Sequence, residues 1–375
     1  MTALETEPAR PVAPVMPAWG GACVDGIVPA LLGDRAGSGW LPAAAREARQ
    51  VVLLVLDGLG WTALEARRAH LPVLGAMAGG PVTTVVPSTT ASALTSIATG
   101  APPARHGILG YRFRVGGQEL QVLRWQGVKK GESPDPARVQ PLAPFGGRRI
   151  PVVTKHEFLE TGFTAAHLRG TSFLGWRTPA VLVEQVKIGL ATGSDLVYAY
   201  YHGIDKVAHG HGLHDGMFHA ELAFADRLVG DLLAAVGPGV AVLVTADHGQ
   251  VHVDPEGAVP IAPAVLRLAS HVAGEGRFRT FHARPGAAGE LHAAAVAAHG
   301  MQAWVFRRDE LFDGGWFGEG ASAEIRGRMG DVVLAAQGAV AFLDPALPKE
   351  AQMRSHHGSL TPDEVLVPLL AACGG

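Results

Sequence analysis

"GVAVLVTADHG", residues 239–249, decides the fold. Its apolar run is continuous rather than alternating and then stops at the adjacent Asp247 and His248. A strand without a polar face is covered on both sides, which is the condition of strands in the parallel sheet of an α/β protein. Two further segments share the design: "VVLLVLDGLG" (51–60) stops at Asp57, and "DLVYAYYHGID" (195–205) stops at Asp205. Helical patterns fall between them. In "HAELAFADRLVGDLLAAVG" (219–237), Leu222, Ala225, Val229, Leu232 and Val236 share one face, and Gly237 is the predicted stop. Strand, helix and strand in alternation predict an α/β protein with a doubly wound, largely parallel sheet and helices on both faces. Such sheets bind ligands beyond the carboxyl ends of their strands, where all three aspartates fall.

The whole chain narrows the function further. Its 375 residues suffice for one large domain with a substantial core. With 34 acidic residues, 31 basic residues and a formal charge of -3, it has no bias towards a nucleic-acid polymer or an anionic membrane, so a small ligand is expected. Cys23 and Cys373 lie near opposite ends, which leaves neither a disulfide framework nor a thiolate zinc motif. Residues 1–20 read as a loose Pro/Ala-rich arm without the pattern of a signal peptide, and no stretch has the length of a membrane span. A cytoplasmic protein is expected, with residues 21–375 as a single domain. Within it, residues 112–150 read as an irregular excursion over the site. Residues 255–340 read as a small inserted α/β cap, with "GELHAAAVAAHG" helical, "QAWVFRRDELF" strand then turn, and "SAEIRGRMGDVVLAA" helix then strand.

Histidines accompany the strand-end aspartates. In "DKVAHGHG" (205–212), Asp205 and His209 are four apart and can share a helical face. "TADHG" adds Asp247 and His248, and "SHHGS" adds His356 and His357. Asp57, Asp205, His209, Asp247, His248 and one of the last pair make six ligands, enough for two divalent cations with three protein ligands and an open position each. Mixed carboxylate and imidazole donors suit zinc and tolerate manganese or iron. Taken singly, a strand-end Asp is usually a cap and a lone His a satisfied surface or core residue; it is the joint pattern that points to metal. His202, His211, His214 and His252 are read as ordinary. In "VVPSTTASALTSIATGAPPARHG" (85–107), Ser88, Thr89 and Thr90 precede a helix stopped by Gly100. These hydroxyls suit an N-cap, and a helix N-terminus beside cations also suits a phosphate-like anion and an activated hydroxyl.

In this order the motifs resemble the alkaline phosphatase superfamily, and within it the type I phosphodiesterase/nucleotide pyrophosphatase branch. "VVLLVLDGLGW" is similar to its first metal-binding strand, "PSTTASALTSIATGAPPARHGILGY" to its nucleophile helix, "GIDKVAHGHG" to its Asp-x-x-x-His pair, "TADHG" to its Asp-His pair and "HHG" to its last metal-binding His-Gly. The resemblance implies an alkaline phosphatase-like fold and, aligned on Thr99-Gly100, a nucleophile at Thr90 rather than Thr89; the His-Gly pair selects His357 over His356. It places Asp57, Thr90, Asp247 and His248 around one metal, and Asp205, His209 and His357 around the other. It also implies in-line attack by Thr90 on a small phosphorylated substrate, a phospho-threonine intermediate and release by water.

Where the branch has an asparagine that helps to hold a phosphate oxygen, this chain has Tyr111. Arg112, Lys129 and Lys130 are candidates to replace that contact, with Tyr111 and Arg112 as the candidate substrate-binding pair. Alternatives within the superfamily are a phosphomonoesterase or a phosphonate hydrolase. A sulfatase needs a Cys/Ser-x-Pro-x-Arg motif that the sequence lacks, and a cofactor-independent phosphoglycerate mutase typically uses a serine in a longer chain. From another class, the fold could serve as a catalytically silent metal-binding or ligand-sensing module.

Overall fold

The computed structural model describes residues 13–127 and 133–375, so Lys129, Lys130 and much of the N-terminal arm lie outside the described residues. Seven strands form the main sheet: β1 (Gln50–Leu56), β2 (Ala78–Thr83), β3 (Pro151–Lys155), β4 (Ser172–Trp176), β5 (Leu196–Tyr201), β6 (Val240–Thr245) and β7 (Leu366–Cys373). Their spatial order is β2-β7-β6-β1-β5-β3-β4. The pairings β6-β1, β1-β5, β5-β3 and β3-β4 are parallel, and β7 runs antiparallel to both its neighbours. The continuous apolar runs have their explanation in burial, because every residue of β5 and β6, and all of β1 after Gln50, is buried.

Register fixes where the aspartates emerge. Leu56 stands opposite Tyr201, and Val55 opposite Thr245, so the three central strands end almost level. The chain after β1 is then stitched to the chain after β5: Asp57 N donates to Tyr201 O at 2.9 Å, and Asp205 N donates to Asp57 O at 3.1 Å. Four helices matter for the site: α1 (Thr90–Thr99), α2 (Pro179–Ala191), α3 (Gly203–His211) and α4 (Gly216–Ala235). α2 packs on β3, β4 and β5, and α4 packs on β6 and α2. α4 stops at Ala235 with Val236 as its extended C-cap, so Gly237 stands immediately past the cap, where the stop is expected.

The excursion is more regular than its composition predicts. Strands Arg112–Val115, Gln118–Gln121 and Gln126–Gly127 form an antiparallel meander. Its first turn, Gly116-Gly117, has positive φ at both residues, the geometry of a two-residue hairpin. Later, strands Ala269–Glu275, Phe278–Ala283, Val332–Ala336 and Ala303–Arg307 form a second, antiparallel sheet in that spatial order. Its two faces separate by alternation: Val333 and Ala335 join the main core, while Val332, Leu334 and Ala336 pack with Phe281, Leu291 and Ala295 in a smaller core. After Arg307 the expected turn is a short helix, Arg308–Asp313, because Glu310 accepts from Arg307 N at 2.8 Å and caps it. Among the described residues no helix is long and apolar enough to cross a membrane.

His106, in the turn after α1, ties this core to pH. It is fully buried, its Nδ1 accepts from Ile108 N at 3.1 Å and its Nε2 lies 2.8 Å from Ser96 Oγ. Burial, and then the Arg328 guanidinium, push its pKa from 6.5 down to about 3. The folded state thus refuses a proton that the unfolded chain accepts below 6.5, so stability is lost as pH falls from 6.5 towards 3. For one such group the slope is ~1.4 kcal/mol per pH unit. Thermal denaturation across this window should show Tm falling with acid, less steeply in His106→Gln than in wild type. Equal slopes would remove His106 from the acid response.

Candidate active site

Asp57, Asp205 and Asp247 converge at the carboxyl edge of β1, β5 and β6. Asp57 and Asp247 are buried. Asp247 Oδ1 is held by Gly58 N at 3.1 Å and His248 N at 3.0 Å, and Tyr200 Oη donates to Asp57 Oδ2. The opposite oxygens, Asp57 Oδ1 and Asp247 Oδ2, are buried with no hydrogen-bond donor among the described residues. Burial, then Asp247 and then Asp205, hold the Asp57 carboxyl well above the usual carboxylate range. Burial also raises Asp205, but His209, and after it His357 and His248, more than reverse this and leave it below that range.

The three histidines share one arrangement. Nδ1 of His209 faces Ser355 O at 2.8 Å, Nδ1 of His248 faces Gly249 O at 2.9 Å, and Nδ1 of His357 faces Ser88 O at 3.0 Å. A carbonyl only accepts, so each Nδ1 carries a proton and each ring turns its Nε2 inward, where it holds either a second proton or a lone pair. His209 Nε2 lies 3.2 Å from Asp205 Oδ1, His357 Nε2 lies 4.0 Å from the same oxygen, and His248 Nε2 lies 3.5 Å from both Asp57 Oδ1 and Asp247 Oδ2. Lone pairs facing carboxylate oxygens require a proton or a cation between them. The His248 and His357 rings stack with centroids 3.7 Å apart.

The residues therefore fit a metal, on the orphaned oxygens and on the donor chemistry. Asp57, Asp247 and His248 place ligand atoms within 4.8 Å of one another, as do Asp205, His248 and His357. The two groups share His248, so ions held by them would be neighbours. His209 joins through Asp205. It does so because α3 is a helix, which puts positions 205 and 209 on one face. His356 is elsewhere: it pairs with Val251, and burial followed by His209 push its pKa to about 3.

Thr90, the first residue of α1, has Oγ1 3.1 Å from His248 Nε2. Thr89 holds the N-cap position, yet its side chain makes no capping bond and its hydroxyl has no partner among the described residues. Capping alone does not account for these hydroxyls. Ser88 Oγ instead donates to Ser359 O at 2.7 Å, tying the start of α1 to the loop that carries His357.

Two cavities meet at Thr90, Asp205 and Leu123. The larger, about 670 Å³, is lined by Tyr111, Glu275 and His357, with Arg124 and Lys349 exposed at its rim. The smaller, about 220 Å³, has walls of Leu94, Phe158, Phe163, Tyr200 and His202. Tyr111 lines the larger cavity, but Arg112 lines neither. Its guanidinium is buried and bound to Glu119 at 2.9 and 2.7 Å and to Asp344 at 3.3 Å. Engaged by two carboxylates, the Arg112 guanidinium has few donors left for an anion. His202, His211, His214 and His252 lie outside the metal-ligand groups. His202 packs among Phe158, Trp176 and Tyr200, and His252 accepts from Leu213 N at 3.2 Å. Sequence reading misses Tyr200 and Glu275; Tyr200 is one more apolar-strand residue by pattern, and nothing marks Glu275.

The family model for type I phosphodiesterase / nucleotide pyrophosphatase matches residues 51–166 and 167–360, segments that contain every ligand candidate and Thr90. Among solved structures, murine ectonucleotide pyrophosphatase/phosphodiesterase 5 superposes with a TM-score of 0.66 at 15% identity, over 87% of this chain and 88% of that one. An inactive threonine-to-alanine variant of the same murine protein, in complex with AMP, gives 0.65 at 14% identity, over 86% and 87%. Phosphonoacetate hydrolase from Sinorhizobium meliloti 1021, in complex with phosphonoacetate, gives 0.60 at 20% identity, over 88% and 91%. At these identities the likeness is one of fold: a central, largely parallel sheet with helices. No curated protein sequence matches the chain.

Three converging carboxylates without a cation repel, so divalent metal should stabilise the fold. Zinc added to chelator-treated protein at 100 times its dissociation constant should contribute ~2.7 kcal/mol and raise Tm. Asp247→Asn should blunt that rise. A Tm that zinc leaves unchanged would contradict the metal-site reading.

Proposed function

Because the chain belongs to the type I phosphodiesterase/nucleotide pyrophosphatase family, we propose that it hydrolyses phosphodiesters or nucleotide pyrophosphates through a phospho-threonine intermediate at Thr90. The observation that carries this reading is the Thr90 hydroxyl at the start of α1, 3.1 Å from an inward-facing His248 Nε2 and next to both ligand groups. Two divalent cations, zinc or alternatively manganese or iron, held by Asp57, Asp247 and His248 and by Asp205, His209 and His357, would supply Lewis-acid charge that favours ionised Thr90 and neutralises phosphoryl oxygens.

The chain's own groups supply the rest. The first-turn N–H groups of α1 have no intrahelical acceptor and attract a phosphoryl oxygen. Carbonyl bonds to each Nδ1 keep the three imidazoles in register. Thr90 Oγ1 forms its bond to phosphorus as the bond to the leaving oxygen breaks; water then cleaves the phospho-threonine and restores the hydroxyl.

Two cavities meeting at Thr90 support a substrate with an organic arm on each side of phosphorus, a diester or pyrophosphate rather than a monoester. The smaller, aromatic-walled cavity suits a flat or apolar arm. The AMP complex of the murine neighbour agrees with a nucleotidyl arm, and the inactivity of its threonine-to-alanine variant agrees with a threonine in the chemistry. The phosphonoacetate hydrolase neighbour keeps a phosphonate substrate as the second reading.

A panel of chromogenic diesters, nucleotide pyrophosphates, monoesters and phosphonates, assayed with added zinc, tests this. Diesters or pyrophosphates should show the highest kcat/KM, and Thr90→Ala should lose at least about 10³-fold while still binding zinc. Equal rates in Thr90→Ala would remove it from the mechanism. Preference for monoesters or phosphonates would reassign the substrate, and no turnover at all would favour a silent metal-binding module.

A further inference from the structure

The turn between the first two strands of the second sheet carries Arg277, whose side chain is fully buried. Its guanidinium has five N–H donors, and the structure gives five acceptors. Nε and Nη2 donate to Glu364 Oε1 and Oε2 at 2.8 Å each, Nη1 donates to Gly338 O and Val340 O at 2.7 Å each, and Nη2 also reaches Ala336 O at 3.4 Å. Glu364 is buried too, and each of its oxygens accepts again: Oε1 from Ser359 N at 2.8 Å, and Oε2 from Thr361 Oγ1 at 2.5 Å.

A buried ion pair is a poor source of stability, because two charges leave water and apolar replacements often do as well or better. What this pair fixes is position. Ser359 and Thr361 follow His357 by two and four residues, so the Glu364 side chain pins the loop that delivers that imidazole. The Glu364 backbone carbonyl accepts from Gly249 N at 2.9 Å, and Gly249 O in turn receives His248 Nδ1 at 2.9 Å. One residue therefore governs both members of the His248-His357 stack, and Arg277 anchors that residue to the second sheet.

We propose that Arg277 and Glu364 are positioning residues for the metal centre, through which the second sheet sets the placement of the His248 and His357 imidazoles. This rests on the metal-site reading above. Partners behind ligating residues typically change metal affinity by roughly 10–100-fold when altered, and that is the effect expected here.

Zinc and cobalt(II) titrations of the full chain, with Tm recorded on the same samples, test the proposal. The variants are Arg277→Lys, the double Arg277→Met/Glu364→Gln, and Arg279→Met as control. Arg279 is equally buried two residues further on, in the strand Phe278–Ala283, but its partners are Phe342 O, Gly274 O and Glu350, none of them in the segment from His357 to Glu364. The Arg277 variants should lose roughly 10–100-fold in metal affinity and change the visible spectrum of bound cobalt, whereas Arg279→Met should keep both. Wild-type affinity and spectrum in the folded Arg277 variants would overturn the proposal, as would an equal loss in Arg279→Met. Should the double variant not fold, Arg277→Lys decides alone, since it keeps the charge while surrendering the planar fork. Wild type that binds neither metal would instead sink the metal-site reading, and the proposal with it.

Discussion

Three carboxylates forced together at one edge of a buried sheet are the constraint from which the rest of this structure follows. Parallel strands β6, β1 and β5 are neighbours in level register, so their carboxyl ends open on one place, and an aspartate follows each: Asp57 directly after β1, Asp247 just after β6 and Asp205 in the first turn of α3 after β5. Asp57 Oδ1, Asp205 Oδ1 and Asp247 Oδ2 have no hydrogen-bond partner among the described residues, and burial with mutual repulsion raises the Asp57 acid. Neither arrangement is favourable in an empty protein. Both become favourable around cations, because positive charge offsets the desolvation and the repulsion together. The inward Nε2 atoms of His209, His248 and His357 obey the same logic.

Close backbone packing makes that convergence achievable. A Cβ at Gly249 would stand 2.0 Å from Asp363 O, so no side chain fits where the His248 turn meets the segment carrying Glu364. At Gly58, φ is +78° and a Cβ would stand 3.0 Å from Asp205 Cα, so the turn after Asp57 also needs glycine. These contacts let the Asp57, Asp205 and Asp247 segments approach one another. The Arg277-Glu364 pair adds the last loop from the side of the second sheet, and Ser88 stitches the same loop to the start of α1.

What the sequence disclosed follows from range. Continuous apolar runs ending at Asp57, Asp205 and Asp247 are local signals, and they were enough for the strands, the parallel sheet and the edge on which ligands gather. The spacing of Asp205 and His209 was legible because α3 is helical there. Thr90 was distinguishable from Thr89 only through a family pattern, and the structure separates them physically by the 3.1 Å contact of Thr90 with His248. Long-range partners were out of reach. Arg112 looked available for a phosphate because Asp344, its second carboxylate partner, lies 232 residues away. Glu275, Arg277 and Tyr200 carry no local mark at all. The Gly116-Gly117 hairpin is different: its turn signal was present in the sequence and was outweighed by the polar composition around it.

The central claim is that distant parts of the chain cage adjacent cations beside Thr90. Anomalous X-ray diffraction at the zinc edge, from crystals grown with zinc, tests it most directly. The account predicts two peaks, one among Asp57, Asp247 and His248 and one among Asp205, His209 and His357, with Thr90 Oγ1 beside the first. Zinc bound only elsewhere, or an ordered cluster of these side chains with no peak between them, would contradict it.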